Sequence, residues 1–254
     1  MANSINTNHG AIVALQNLNA TNRDLNVTQN RVNTGMAVSS AKDNGAIFAI
    51  ATNQRAEMGA LNAVKQSMQR GQSLVDVALA AGDTVVAALT EMKTLAVAIE
   101  SGGSTETLAA LNADYAALQT EIDSALAGAN FDGENLWTAA GTVLSDTAGT
   151  TFAIGGVTAD GTPAGATAAE VEAAITAFTA DMATLGTQSK SLERQITFTS
   201  KMQDALEVGI GNLVDADLAK ESAKLTALQT KQQLGVQALS IANQSSSILL
   251  GLFR

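Results

Sequence analysis

The sequence predicts a mainly α protein: a long antiparallel coiled-coil helical rod with a small β-hairpin region near the middle of the chain. Three observations carry this. Apolar residues make up 46% of 254 residues, yet aromatics are only 3% and there is one Pro. That profile suits long helices packed by small and aliphatic side chains better than a thick aromatic core. Three stretches place apolar residues at alternating spacings of four and three, which marks coiled-coil seams rather than scattered core positions. One segment, Asn130 to Pro163, abandons that spacing for short β-like runs separated by Gly.

In chain order, Leu18, Leu25 and Val32 repeat every seven residues, interleaved with Asn and Thr. A looser seam follows at Ile47, Ile50, Leu61, Val64 and Met68. The first strict one runs Leu74, Ala78, Ala81, Val85, Ala88, Met92, Leu95, Ile99. After Gly102-Gly103 the spacing resumes at Leu108, Leu111, Tyr115, Leu118, Ile122 and Ala125. The β-like segment contains Asn-Phe-Asp-Gly-Glu-Asn-Leu-Trp137, then Thr142-Val-Leu-Ser145 and Thr151-Phe-Ala-Ile154, and reads as a hairpin-rich tip. The third seam extends from Val171 to Leu213 through Phe178, Leu185, Leu192 and Ile210, with ten of its thirteen positions large and apolar. A last helix running from about Ala168 into the 240s would hold roughly 80 residues, or ~120 Å, too long for a globular domain of this size. A rod is therefore expected.

The last stretch keeps heptad spacing at Leu218, Leu225 and Leu239, and again at Leu228 and Leu249, with Gln232, Gly235 and Ser246 interrupting. Each terminal stretch alone is a weak helix with an apolar stripe and no partner. They need each other, or other copies. The chain closes on Ile248-Leu-Leu-Gly-Leu-Phe-Arg254, a greasy end far shorter than the ~20 apolar residues that span a bilayer, so no membrane insertion is expected.

Charge is unevenly placed. The net charge is -10, and Thr94 to Ser189 holds twelve acids and no Lys or Arg. The flanking parts hold all fourteen bases and the other twelve acids, a balance of +2. The middle thus reads as an outward soluble surface and the ends as suited to close packing. No basic stripe supports nucleic-acid binding. With no Cys and only His9, Cys–His pairs and His-based metal clusters have no residues to build them. Acid pairs such as Glu170/Glu172 and Asp215/Asp217 lie two apart, where helical side chains diverge. Neither catalysis nor a cofactor is expected. Met1 to Asn30 lacks the basic and apolar regions of a cleavable signal peptide.

Several motifs resemble those of bacterial flagellins. Arg31-Val-Asn-Thr-Gly-Met-Ala-Val-Ser-Ser-Ala-Lys-Asp43 is similar to the segment after the family's first helix. Asn130-Phe-Asp-Gly-Glu-Asn-Leu136 resembles the turn that opens its hairpin. Asp215-Ala-Asp217, Ala242-Asn-Gln244 and the Leu-rich end closing on Arg254 resemble its C-terminus, and Ser4-Ile-Asn-Thr-Asn8 its start. The motifs keep the family's order across essentially the whole chain. The resemblance implies a short, minimal flagellin without variable outer domains, its N- and C-terminal helices paired. An inner terminal domain would take about 1–40 plus 215–254, and a rod domain about 41–214 with its hairpin tip at about 130–167. It implies a subunit of the flagellar filament, exported unfolded without a cleavable leader. Expected partners are other copies and other flagellins, the export apparatus with a secretion chaperone, and the hook-associated and cap proteins.

The resemblance also implies two sets of site residues. Subunit packing is expected from Leu18, Leu25, Arg31, Val32, Leu218, Leu225, Leu228, Leu239, Leu249, Leu250 and Phe253, left unpaired in the monomer until assembly buries them. Thr142, Ser145, Thr147, Thr150 and Thr151 are candidate sites for O-linked sugars, an unmodified polar loop being the alternative reading, since Thr138 to Thr167 carries nine hydroxyl residues and no base. The rival readings are a hook–filament junction protein, or another secreted coiled-coil adhesin or effector.

Overall fold

The structure is a computed structural model that describes residues 8–157 and 161–252, with side chains through residue 244. Seven elements follow in order: α1 (His9–Thr34), α2 (Gly45–Glu100), α3 (Thr105–Gly128), β1 (Gly141–Leu144), β2 (Thr151–Ile154), α4 (Ala168–Val214) and α5 (Leu218–Leu252). The protein is mainly helical with one small antiparallel hairpin, as the spacing predicts. It divides into two compact units, Met1–Arg55 with Leu206–Arg254, and Ala56–Ala205.

The unit Ala56–Ala205 is built on α2, α3 and α4. Its first cluster packs Val85, Leu89 and Met92 of α2 against Tyr115 and Ile122 of α3 and Val171 and Phe178 of α4. Glu100 Oε1 accepts from Ala168 N at 2.8 Å, and Lys93 pairs with Glu172, so α4 starts level with the end of α2. The Tyr115 hydroxyl donates to Gly165 O at 2.7 Å. Burial first, and then the charge of Glu170, push its pKa up. Where α3 ends, the hairpin takes its place. Val143 and Ile154 pack with Met68, Val75 and Ala78 of α2 and Leu185 and Leu192 of α4.

The strands pair in the register Gly141↔Ile154 to Leu144↔Thr151. They approach α2 so closely that a Cβ on Gly71 would collide with Val143 Cγ1. Gln188 reads the backbone of Gly155 twice, its Oε1 accepting from the amide at 2.8 Å and its Nε2 donating to the carbonyl at 3.1 Å. The Asn-Phe-Asp-Gly motif forms its own turn. Phe131 and Glu134 exchange two backbone hydrogen bonds of 3.0 Å, while Asp132 and Gly133 take φ of 54° and 83°. Two positive φ values define a type I′ turn, which is why Asp-Gly occupies it. Arg70 clamps the turn from α2, reaching Asp132 at 2.9 Å and Glu134 at 3.4 Å.

Trp137 joins the two clusters. Its ring stacks on Phe178 with centroids 4.5 Å apart and planes 10° from parallel, and its Nε1 donates to Ala78 O at 3.0 Å.

Three expectations are corrected. The helix expected to run from Ala168 into the 240s breaks into α4, of 47 residues, and α5, of 35. At the break, Ala216 N donates outside the helix to Gly35 O at 2.9 Å. Asp217 Oδ1 then accepts from Ala219 N and Lys220 N, capping α5. The seams are also displaced by one residue in places: Ile50 and Leu213 are exposed while Ala51 and Val214 are buried. Along α2 the buried stripe is wider than a two-helix seam, since Leu74 and Val75, and Ala88 and Leu89, are buried together. A helix between two partners needs that wider stripe.

Candidate subunit-packing surface

In the unit formed by the two chain ends, α1 and α5 pack side by side. Asn8 starts α1, its Oδ1 accepting from Ala11 N at 3.0 Å. Gly35 ends it with φ 71°, returning its N–H to Arg31 O. The covered positions of α1 include Leu18, Thr21, Leu25, Thr28 and Val32, flanked by half-buried Asn22 and Arg31; those of α5 are Glu221, Leu225, Leu228, Gln232, Gly235, Leu239 and Ala242. Both series keep four-three spacing, so the seam is a real heptad interface that admits polar residues at Thr21, Thr28, Glu221 and Gln232.

The polar and small members set the register. Arg31 meets Glu221 at 3.1 Å, Gln232 Nε2 donates to Asn22 Oδ1 at 2.8 Å, and Asn8 Nδ2 donates to Ala242 O at 2.7 Å. A Cβ on Gly235 would lie 3.2 Å from Leu18 Cδ1, so the glycine makes room for that leucine. Gln232 and Gly235, which interrupt the heptad in sequence, thus align α5 with α1. Among the described residues, Thr28 Oγ1, Arg31 Nε and Glu221 Oε2 are buried with no hydrogen-bond partner. Such atoms make the neighbourhood of the ion pair costly to disturb by halves.

Glu221→Ala is therefore expected to destabilise the α1–α5 pair by about 1–3 kcal/mol. Replacing Arg31 and Glu221 together by Met should cost less than either single change. Amide hydrogen exchange along α1 measures both. Equal protection in the Glu221→Ala and unsubstituted chains would refute the assignment.

Beyond the seam, the segment between α1 and α2 is pinned to the break between α4 and α5. Ala37 and Val38 both donate to Val214 O, at 2.7 and 3.2 Å, and Met36 bridges Asp215. Val38, Ala51, Ile210 and Val214 bury a small core there. Asp43 Oδ2 accepts from the amides and hydroxyls of Ser39 and Ser40 at 2.9–3.1 Å. Those donors, Ser40 first, hold its carboxyl below the usual range. The turn is thus held by an ionised Asp43, and its share of stability fades as pH falls through that lowered value.

The structure sorts the residues selected from sequence. Leu25 and Leu228 are buried inside the single chain, and Leu18, Val32, Leu225 and Leu239 are half-buried there. Within the one chain, α1 and α5 thus cover each other's stripes. Leu218 is 50% exposed. The side chains of Leu249 and Leu250, and Phe253 altogether, lie outside the described residues. Sequence reasoning missed another set: Ile12, Val13 and Leu15 on α1 and Leu234, Val236 and Ile241 on α5 remain exposed, Ile241 at 68%. Their signal was present, as large apolar residues off the heptad positions. At the hairpin, Thr142, Thr147, Thr150 and Thr151 are exposed; Ser145 is half-buried, its Oγ donating to Thr150 O. His9 is exposed at the start of α1, and among the described residues no group of acids and His is placed to hold a metal.

Two long helices are thus held in register, with a second apolar set left outward. Residues 5–142 match the bacterial flagellin N-terminal helical region, and residues 168–253 the C-terminal helical region. Flagellin FljM of Caulobacter vibrioides is 50% identical over 270 residues, covering 99% of both chains. A flagellin of Brucella melitensis is 37% identical over 280 residues, again covering 99% of both. The Bacillus cereus flagellin crystal structure aligns with 63% of this chain and 94% of its own at 22% identity, with a TM-score of 0.36. The chain belongs to the bacterial flagellin family, the structural subunits of the flagellar filament, in a short form without the outer domain.

Proposed function

We propose that this flagellin joins its filament through the outward apolar set of α1 and α5. Residues 1–40 and 215–254 form the inner filament core, and 41–214 the second domain. The carrying observation is that Ile12, Leu15, Leu234 and Ile241 stay exposed after α1 and α5 have paired. Burying each large side chain contributes ~1.5–3 kcal/mol, less the ordering entropy. Leu18, Leu25, Arg31, Val32, Leu225, Leu228 and Leu239 serve this surface from beneath, by holding the two helices in register. Leu218 adds to it directly, and Leu249, Leu250 and Phe253 extend it at the chain end. Contacts are head-to-tail and leave an open helical polymer.

Passage to the filament tip follows the same chemistry. The chain is exported unfolded through the flagellum's own apparatus, which the absence of Cys favours, since no disulfide must be undone. A secretion chaperone covers the apolar C-terminus beforehand, and hook-associated and cap proteins bound the growing filament. Elongation of short filament seeds by the purified chain tests this function. Uniform growth is expected, and seeds that stay short would reject it.

The exposed hydroxyls of Thr142, Thr147, Thr150 and Thr151 are accessible to O-glycosylation, and Ser145 less so. The intact mass of native filament protein is expected to exceed the sequence mass by whole sugar units. A mass equal to the sequence mass would rule the modification out.

A further inference from the structure

On α4, Lys190, Arg194, Phe198 and Lys201 follow one another at spacings of four, four and three, all exposed. Helical geometry puts them on one face. Phe198 is 64% exposed, and among the described residues none of the three bases is paired with a carboxylate. An exposed aromatic ringed by unpaired cations needs a partner, in a chain whose net charge is -10.

The chain contains the complementary surface. On α3, Glu106, Asp114 and Glu121 share one exposed face, with Ala110, Ala113 and Ala117 flattening it between them. These acids too have no ion pair among the described residues. Asp114 and Glu121 are seven residues apart, as are Arg194 and Lys201. Two turns of helix separate each pair by roughly 10 Å, so both charges can be met at once. Phe198 then falls over the alanine flat. Direction agrees as well. Both α3 and α4 begin beside the end of α2 and so run the same way, and copies in an open head-to-tail polymer share one polarity.

We propose that the α4 face of one copy docks on the α3 face of the next, Arg194 on Asp114 and Lys201 on Glu121. This rests on the filament reading above and identifies a second contact, independent of the terminal helices. Because the charges are rim-like and exposed, their main effect is on the rate and register of docking.

Seeded elongation of full-length chains tests it. Arg194→Glu with Lys201→Glu should slow elongation at least ~10-fold, as should Asp114→Lys with Glu121→Lys. All four changes in one chain should restore the rate to within about threefold. Circular dichroism checks that each variant is folded; where one is not, the Gln and Asn counterparts replace it. In filaments grown from mixed light and heavy isotope-labelled chains, carbodiimide should join Lys201 of one label to Glu121 of the other. If the unsubstituted chain does not elongate, the filament reading itself fails. If it elongates, and the folded double variants match its rate or the fourfold chain stays as slow as they are, the docking assignment is wrong. A mixed-label filament without the Lys201–Glu121 cross-link also overturns it.

Discussion

Removing residues 244–254 is expected to leave Ala56–Ala205 folded and α1 paired with α5, yet to abolish seeded elongation. The seam explains the first half. Its register pins lie at Arg31–Glu221, Asn22–Gln232, Leu18–Gly235 and Asn8–Ala242, all outside the deleted segment. The second half follows from what is lost: Ile248, Leu249, Leu250, Leu252 and Phe253 are five large apolar side chains. At ~1.5–3 kcal/mol each when fully buried, even partial burial decides association over more than a hundredfold range. Light scattering with electron microscopy measures elongation, and thermal unfolding checks the fold. A truncated chain that extends seeds at the full-length rate would remove the C-terminus from the assembly surface.

Trp137→Ala is expected to destabilise the unit Ala56–Ala205 by about 3–5 kcal/mol. The indole packs against both hydrophobic clusters, stacks on Phe178 and donates to Ala78 O. Its removal opens a cavity where hairpin, α2 and α4 meet, and rigid helices cannot collapse to fill it. Trp137→Phe keeps most of the apolar volume and loses the hydrogen bond, so its cost should be near 1 kcal/mol. Denaturant unfolding followed by circular dichroism measures both, since the chain has no other Trp. Equal midpoints for Trp137→Ala and the unsubstituted chain would mean that the hairpin is not part of this core.

Much of the architecture was legible because it is local. The seam Val171, Phe178, Leu185, Leu192 recurs every seven residues and every member is buried. Asp132-Gly133 signals its turn because only that backbone geometry joins the two halves of so tight a bend. The errors have one kind of cause. The break at Asp215–Asp217 was hidden within a periodic pattern, since Gly35 and Met36, far away in sequence, take its backbone partners. The one-residue displacement of the seams has the same source: Ala51 rather than Ile50, and Val214 rather than Leu213, is covered because Val38 and Ile210 pack there.

By itself, the sequence determined which segments are helical and where the hairpin lies. Those properties follow from periodicity, turn chemistry and residue supply, all read over a few neighbours. Only the tertiary structure decided which apolar stripe is spent inside the chain and which stays outward. It also decided that Gln232 and Gly235 are register pins rather than flaws in a heptad. The physical reason is that burial belongs to a pair of surfaces. A leucine at a heptad position states that it will be covered, and only the arrangement of the other helix states by what.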